Sequence, residues 1–118
     1  MTASPAFDHI AVTVPDVEGL VDRLTTAFGM VATIRSPSFA VVVDPATDLK
    51  LELTTSDDGE AHLRHLGFRA ADVDAAYTEL VDAGMQGETA PHRRDFAAMY
   101  TAFLRQPDGV EVQLVEYD

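Results

Sequence analysis

The chain has 118 residues, of which 20 are acidic and 8 are basic, and its formal net charge at pH 7 is −12. This charge repels nucleic acid and anionic membranes, so neither is an expected partner. The absence of cysteine excludes disulfides, thiolate zinc sites and a cysteine nucleophile. Because no apolar run approaches the roughly 20 residues of a membrane helix and the first residues lack signal-peptide features, we expect a soluble, cytoplasmic protein.

The first predicted elements are a strand and a helix. Apolar residues alternate along residues 7–14, which predicts a strand with His9 on its less apolar face. A helix follows, capped by Asp16 and ended by Gly29. Apolar residues at helical spacing predict the side that packs on a sheet. They are Val17, Leu20, Val21, Leu24 and Phe28.

Three more strands are predicted over residues 30–35, 39–43 and 49–54. The middle one is apolar on both faces, so it is expected in the interior of a sheet. A hairpin loop over residues 44–48 precedes the last strand, in which Glu52 lies on the face opposite three leucines.

The segment from His65 to Gly84 repeats the segment from His9 to Gly29. After a linker over residues 55–61, the repeat predicts a strand with His65 and Arg69 on one face, and then a helix capped by Asp72. The apolar stripe predicted for this helix consists of Val73, Ala76, Tyr77, Leu80 and Val81.

The rest of the second copy is less regular. Glycine, proline and charged residues interrupt residues 85–95, which predicts a short edge strand and a mobile loop. A strand is predicted over residues 99–105, then a turn over 106–109, and a last strand over 110–115 that carries Gln113 on its less apolar face.

The repeat predicts an α+β fold made of two βαβββ modules, residues 5–55 and 62–118, within a single domain over residues 1–118. A cupped, mostly antiparallel sheet with the helices outside would bring together polar side chains from four strands. They are His9, Glu52, His65 and Gln113. Two imidazoles, a carboxylate and an amide oxygen are ligands for a divalent transition metal such as Zn, Ni, Mn, Co or Fe.

Four segments in this order resemble the vicinal oxygen chelate superfamily, which includes glyoxalases, extradiol dioxygenases, and fosfomycin and bleomycin resistance proteins. They are DHIAVTVPDVE, LELT, HLGFRAADVDAAYTELVDAGM and RQPDGVEVQLVE. The resemblance implies that the four positions named above hold the metal, when there is one, at the centre of a cup made by paired βαβββ modules. It also implies a homodimer formed by exchange or pairing of modules.

Gln113 departs from the family pattern, which most often has glutamate after the PDG turn. A neutral amide leaves a divalent ion with one uncompensated charge, which weakens binding and makes the ion a stronger Lewis acid. It also argues against an iron dioxygenase, whose carboxylate ligand occupies this position. Glu52 still completes a set of two histidines and one carboxylate.

Candidate substrate contacts are inward or loop residues around the expected cup. They are Arg69, Phe39, Tyr100, Phe103 and the His92-Arg93-Arg94 segment. Arg69 shares a face with His65 and is expected to pair with Glu111 or with an anionic substrate group. His62 matches nothing in the first copy, so it is interpreted as surface.

Two functions remain open for a small-molecule ligand. The first is a glyoxalase-like enzyme, an isomerase, lyase or dioxygenase, in which a substrate oxygen binds the metal and Glu52 acts as the base. The alternative is a metal-free protein of the bleomycin-resistance type, which binds a drug or another small molecule. The net charge of −12 favours a cationic ligand for this second function. A domain without any ligand would line an enclosed face with polar groups for no gain.

Overall fold

The computed structural model describes residues 4–118, and within this range the chain forms eight strands, two α-helices and one 3₁₀ turn. The first copy consists of β1 (Ala6–Val14), α1 (Val17–Phe28), β2 (Val31–Arg35), β3 (Phe39–Val43) and β4 (Lys50–Thr55). The second copy consists of β5 (His62–Arg69), α2 (Val73–Asp82), β6 (Gln86–Arg94), the 3₁₀ turn (Asp95–Ala97), β7 (Met99–Arg105) and β8 (Glu111–Tyr117).

The described chain forms two compact units. We call residues 9–64 the N-terminal module, and residues 65–118 together with residues 4–8 the C-terminal module. The order strand, helix, strand, strand, strand occurs twice, which confirms the prediction of an α+β fold built from two βαβββ units.

Each module contains four strands that are mostly antiparallel. In the N-terminal module the strand order is β2-β3-β4-β1, and only the β1–β4 pairing is parallel. In the C-terminal module the order is β5-β8-β7-β6, and only β5–β8 is parallel. The interior position predicted for β3 is confirmed. One parallel pairing per module is expected. Parallel strands need a crossover connection such as a helix, and each module has one helix.

Helix α1 packs on one face of its own sheet. Its residues Val17 and Val21 join a buried cluster with Val14, Ala40, Val42 and Leu53. Phe28 was predicted to extend this stripe, but it is 71% exposed. Helical periodicity gives the direction of a side chain around the axis, and it does not show whether strands extend beneath the last turn.

Both predicted helix N-caps are confirmed. The Asp16 carboxylate accepts a hydrogen bond of 2.9 Å from the backbone N–H of Gly19, and Asp72 accepts one of 3.1 Å from Ala75. Each bond satisfies a backbone donor that the first turn leaves without a helical partner. Gly29 ends α1 with φ at 70°, a left-handed conformation that costs other residues more.

Helix α2 covers one face of the C-terminal sheet in the same way. Val73 and Ala76 pack in a cluster with Ala102, Leu104 and Leu114. Val81, at the end of the predicted stripe, is 39% exposed.

The edge strand predicted within residues 85–95 is confirmed, but it is not short, and a 3₁₀ turn follows it directly in place of the predicted loop. Strand β6 has nine residues and lies at the edge of the sheet, with register shifts on both sides of Thr89. Pro91 falls within the second shift, where an edge strand tolerates a missing N–H. At Gly87 an added Cβ would lie 2.0 Å from the Tyr77 hydroxyl oxygen, so glycine lets α2 approach this strand.

Within residues 4–118, neither α-helix has the length and apolarity that crossing a bilayer requires.

The N-cap of α1 gives a first prediction. Asp16→Ala leaves the Gly19 N–H without its side-chain acceptor, so the free energy of unfolding should fall by about 1 kcal/mol. Urea unfolding followed by circular dichroism measures this change. Asp57→Ala is the matched control, because it removes the same charge from an exposed bend outside any helix. Equal destabilisation by both variants would contradict the capping role.

Candidate functional site

The N-terminal sheet has one face covered by α1 and one helix-free face. Leu53 packs in the cluster beneath α1, so strand alternation directs Glu52 to the helix-free face. In the sheet register Glu52 lies beside Ala11 of β1 and Val41 of β3. His9 lies two residues before Ala11, on the same face.

His9 and Glu52 are in direct contact on this helix-free face. The His9 Nε2 and Glu52 Oε2 atoms are 3.1 Å apart, and the side chains are 1% and 22% exposed, respectively. Two ligands that each lie about 2.1 Å from one ion are roughly 3 Å from each other. The pair can therefore share a proton or two positions on one metal ion. Phe39 begins β3 on the same face, where it is half-buried opposite Thr54.

The C-terminal sheet repeats this arrangement. Leu114 is fully buried in the cluster beneath α2, so Gln113 faces the helix-free side, opposite Gly67 and Phe103. His65 contacts the Phe103 ring edge-to-face, with ring centroids 5.6 Å apart. His65 and Gln113 are each 4% exposed. The module therefore brings two of the predicted ligands and Phe103 to one face.

The amide of Gln113 has a defined orientation. Its Nε2 donates a hydrogen bond of 3.0 Å to the Thr101 hydroxyl oxygen, and that hydroxyl donates one of 2.7 Å to the Leu114 carbonyl. The amide oxygen, which is the atom that binds metals, is thereby turned away from Thr101. Sequence analysis did not identify Thr101. The available signal was its position two residues before Phe103, which puts both on the same face of β7.

Glu111 also lies on this helix-free face. Its carboxylate is 3.7 Å from His65 Nδ1 and 3.3 Å from Arg105 Nη2. Arg105 also pairs with Glu88, at 3.0 Å. The arginine compensates the charge of Glu111.

Arg69 pairs with Asp8 and not with Glu111, which was one of the two partners expected for it. Its Nε lies 3.3 Å from Asp8 Oδ1, and the Tyr117 hydroxyl donates a hydrogen bond of 2.6 Å to the other oxygen of Asp8. Asp8 is 3% exposed, and a buried carboxylate is costly without such partners. Arg69, which is 56% exposed, therefore compensates the negative charge of a buried carboxylate of β1.

Tyr100 lies beside Arg93 in the sheet register, on the face of the C-terminal sheet that α2 covers. It packs in the cluster beneath α2, and its hydroxyl donates a hydrogen bond of 2.7 Å to Asp74. The bond and the negative charge of Asp74 raise the pKa of Tyr100, because both oppose ionisation of the phenol. The structure thus places Tyr100 on the opposite face of the sheet from Phe103.

His62 is the first residue of β5, and its side chain is exposed. Its Nε2 is 2.7 Å from the Asp58 carboxylate. The pKa of Asp58 is lowered by a hydrogen bond from the Glu60 backbone N–H and by the contact with His62. The interpretation of His62 as a surface residue agrees with this position.

The donor types of His9, Glu52 and His65 make them a candidate metal-binding group. Imidazole nitrogen and carboxylate oxygen suit zinc and other divalent transition metals, so the residues present fit such an ion. The amide oxygen of Gln113 is a fourth donor of suitable type. Convergence of all four on one point stays a prediction.

The chain belongs to the Glyoxalase/Bleomycin resistance protein/Dioxygenase superfamily, whose family model matches residues 6–114. This match confirms the resemblance found in the sequence. No curated protein matches the chain.

Several solved structures share the fold. Methylmalonyl-CoA epimerase from Mycobacterium tuberculosis is 21% identical, with a TM-score of 0.78 over 100% of this chain and 93% of that one. A variant of the Streptomyces coelicolor epimerase, in complex with 2-nitronate-propionyl-CoA, is 21% identical, with a TM-score of 0.75 over 97% of this chain and 99% of that one. A further methylmalonyl-CoA epimerase, solved with methylmalonyl-CoA and NH₄⁺, is 21% identical, with a TM-score of 0.75 over 98% and 96% of the two chains. At these identities the likeness establishes the fold alone.

The hydrogen bond of Tyr100 gives a second prediction. Asp74→Asn removes the negative charge that opposes phenol ionisation, so the pKa of Tyr100 should fall toward its usual value of about 10. A pH titration of tyrosine absorbance near 295 nm measures the change, and Tyr100→Phe identifies the signal. Asp82→Asn, at the other end of α2, is the charge-matched control. An unchanged titration in Asp74→Asn would contradict the assignment.

Proposed function

We propose that this protein is a metal-dependent enzyme of the isomerase type that moves a proton beside a carbonyl group of a small molecule. In this proposal the ligands of a divalent ion are His9, Glu52, His65 and Gln113. The observation that carries it is the contact of 3.1 Å between His9 Nε2 and Glu52 Oε2 on the helix-free face. An imidazole and a carboxylate at this separation suit two positions on one ion.

When bound, the ion would supply Lewis-acid polarisation of a substrate carbonyl oxygen. The protein's own part is to hold the donor atoms in place. His9 and His65 are almost fully buried, which restricts their rings to one orientation. Thr101 fixes the amide of Gln113 through the hydrogen bond to Nε2. These restraints favour a rigid ligand set.

Glu52 is the proposed base. At 22% exposure its carboxylate is accessible to a small substrate, whereas its neighbour His9 is buried. A carboxylate can accept a proton from a carbon next to a polarised carbonyl, and such positioned proton transfer contributes about 10²- to 10⁴-fold to a rate. His9 restrains Glu52 through their contact, so both residues are needed for the geometry.

The structural neighbours support the isomerase type. Several are methylmalonyl-CoA epimerases, and one was solved with methylmalonyl-CoA. We therefore propose an acyl thioester or a related carbonyl compound as the substrate class. A homodimer and a cytoplasmic location are part of the same proposal, by analogy with the family.

The metal site gives a third prediction. Protein purified without chelators should contain about one divalent ion per site by elemental analysis, and His9→Ala and His65→Ala should each lose most of it. His62→Ala is the matched control, because this exposed histidine binds Asp58 and lies outside the proposed ligand set. Equal metal content in all three variants would contradict the site.

The proposed base gives a fourth prediction. The metal-loaded protein should exchange the C2 hydrogen of methylmalonyl-CoA with D₂O, as followed by proton NMR. Glu52→Gln should slow this exchange by about 10²-fold or more, because an amide cannot accept the proton. Glu60→Gln, at an exposed position, should leave the rate unchanged. Exchange that survives in Glu52→Gln would exclude Glu52 as the base, and no exchange by the unaltered protein would exclude this thioester as a substrate.

The net charge of −12 favours a second candidate, a metal-free protein that binds a cationic small molecule. The two functions differ in their response to ligands. A carrier should be stabilised against heat by bleomycin but not by Zn²⁺ or Mn²⁺, whereas the proposed enzyme should show the opposite order.

A further inference from the structure

Arg94 is the last residue of β6, and its side chain is half-buried on the helix-free face of the C-terminal module. Its guanidinium carbon lies 5.3 Å from the centre of the Phe103 ring. A cation over an aromatic face is attracted by the ring's quadrupole, and the attraction grows as the cation loses water. Phe103 therefore holds the charge of Arg94 in a defined position.

His92 holds the other side of the same guanidinium. Its Nδ1 is 2.9 Å from the Ala90 carbonyl oxygen, and its Nε2 is 3.3 Å from Arg94 Nε. A carbonyl can only accept, so Nδ1 carries the proton and Nε2 accepts a hydrogen bond from Arg94. This bond uses the Nε–H and leaves the N–H groups of the two terminal nitrogens for another acceptor.

Arg94 differs from other arginines of the same module. Arg69 pairs with Asp8, Arg93 with Asp95 and Asp118, and Arg105 with Glu88 and Glu111. Within residues 4–118, no carboxylate forms an ion pair with Arg94. The lack of an acidic partner for Arg94 is not caused by a shortage of acidic residues, because the chain has 20 of them. A partly exposed guanidinium without an acidic partner is available to pair with an anion that a ligand supplies.

Arg94 is connected to the proposed metal ligands of its module through Phe103. Phe103 lies opposite Gln113 in the sheet register, and its ring also touches His65. Arg94 and His65 thus contact the same phenylalanine. Arg94 is therefore a cation on the helix-free face that shares a contact residue with His65 and Gln113.

We propose that Arg94 binds a carboxylate of the substrate and so selects small carbonyl compounds that carry a negative charge. This inference rests on the proposed function, whose substrate class it narrows. The planar fork of two terminal N–H groups matches the two oxygens of a carboxylate, and such bidentate pairs are stronger than single hydrogen bonds. Phe103 and His92 act as positioning residues for the fork.

Malonate is the probe for the test, and uncharged malonamide of the same shape is its control. Titration of the metal-free protein, labelled with ¹⁵N, should shift the Nε–Hε signal of Arg94 with malonate but not with malonamide. Arg94→Gln should weaken malonate binding by about tenfold or more. Arg94→Lys, which keeps the charge but loses the fork, should weaken it less. Arg93→Gln removes the neighbouring charge and should have little effect.

Each outcome decides a separate claim. Failure of malonate to shift the Arg94 signal, or equal binding by Arg94→Gln and the unaltered protein, would overturn the proposal. Binding of inorganic phosphate as tightly as malonate would overturn the preference for a carboxylate. A dispersed NMR spectrum of each variant shows that it is folded. Because the titration contains no metal, loss of the proposed metal site would leave its result unchanged.

Discussion

The structure depends on the two-residue alternation of strands that carry a helix on one face only. Leu53 in β4 and Leu114 in β8 are fully buried beneath helices, so Glu52 and Gln113 must project from the opposite face. A shift of either strand by one residue would bury a polar group and expose a leucine, which makes the register strongly specified. The core of each module thus determines where its candidate ligands lie.

Local signals in the sequence were sufficient for much of the fold. The N-caps Asp16 and Asp72, the strand Met99–Arg105 and the turn closed by the bond from the Gly109 N–H to the Gln106 carbonyl all depend on residues close in sequence. The full length of strand β6 could not be predicted in this way, because its pairing with β7 overrides the unfavourable Gly87 and Pro91.

The errors in the predicted site have two different causes. Tyr100 and Phe103 are three residues apart in one strand, so alternation alone puts them on opposite faces, and the sequence contained that information. The partner of Arg69 was not available from the sequence, because Asp8 comes from a strand far away in the chain. Thr101 was missed because a threonine in a strand is ordinarily interpreted through its β-propensity.

A net charge of −12 and an anionic ligand are compatible in one protein. The Debye length is about 8 Å at physiological ionic strength, so distant acids are largely screened by salt. Near the helix-free face of the C-terminal module, Arg105 compensates Glu111, and Arg94 contributes a charge that no acid within residues 4–118 neutralises. At short range, where water is partly excluded, the attraction between this guanidinium and a bound anion is less screened than the repulsion from distant acids.

The hydrogen bonds around residue 113 explain why this position holds a neutral amide. The Thr101 hydroxyl already donates to the Leu114 carbonyl, so its oxygen can only accept from the group that faces it. An amide N–H satisfies this oxygen, whereas an ionised carboxylate would place two acceptors against each other. The hydrogen bonds of Thr101 therefore select glutamine over glutamate. With Glu52 as its one carboxylate, the proposed ligand set would leave a divalent ion with a net positive charge, which would attract the anionic substrates that we propose for Arg94.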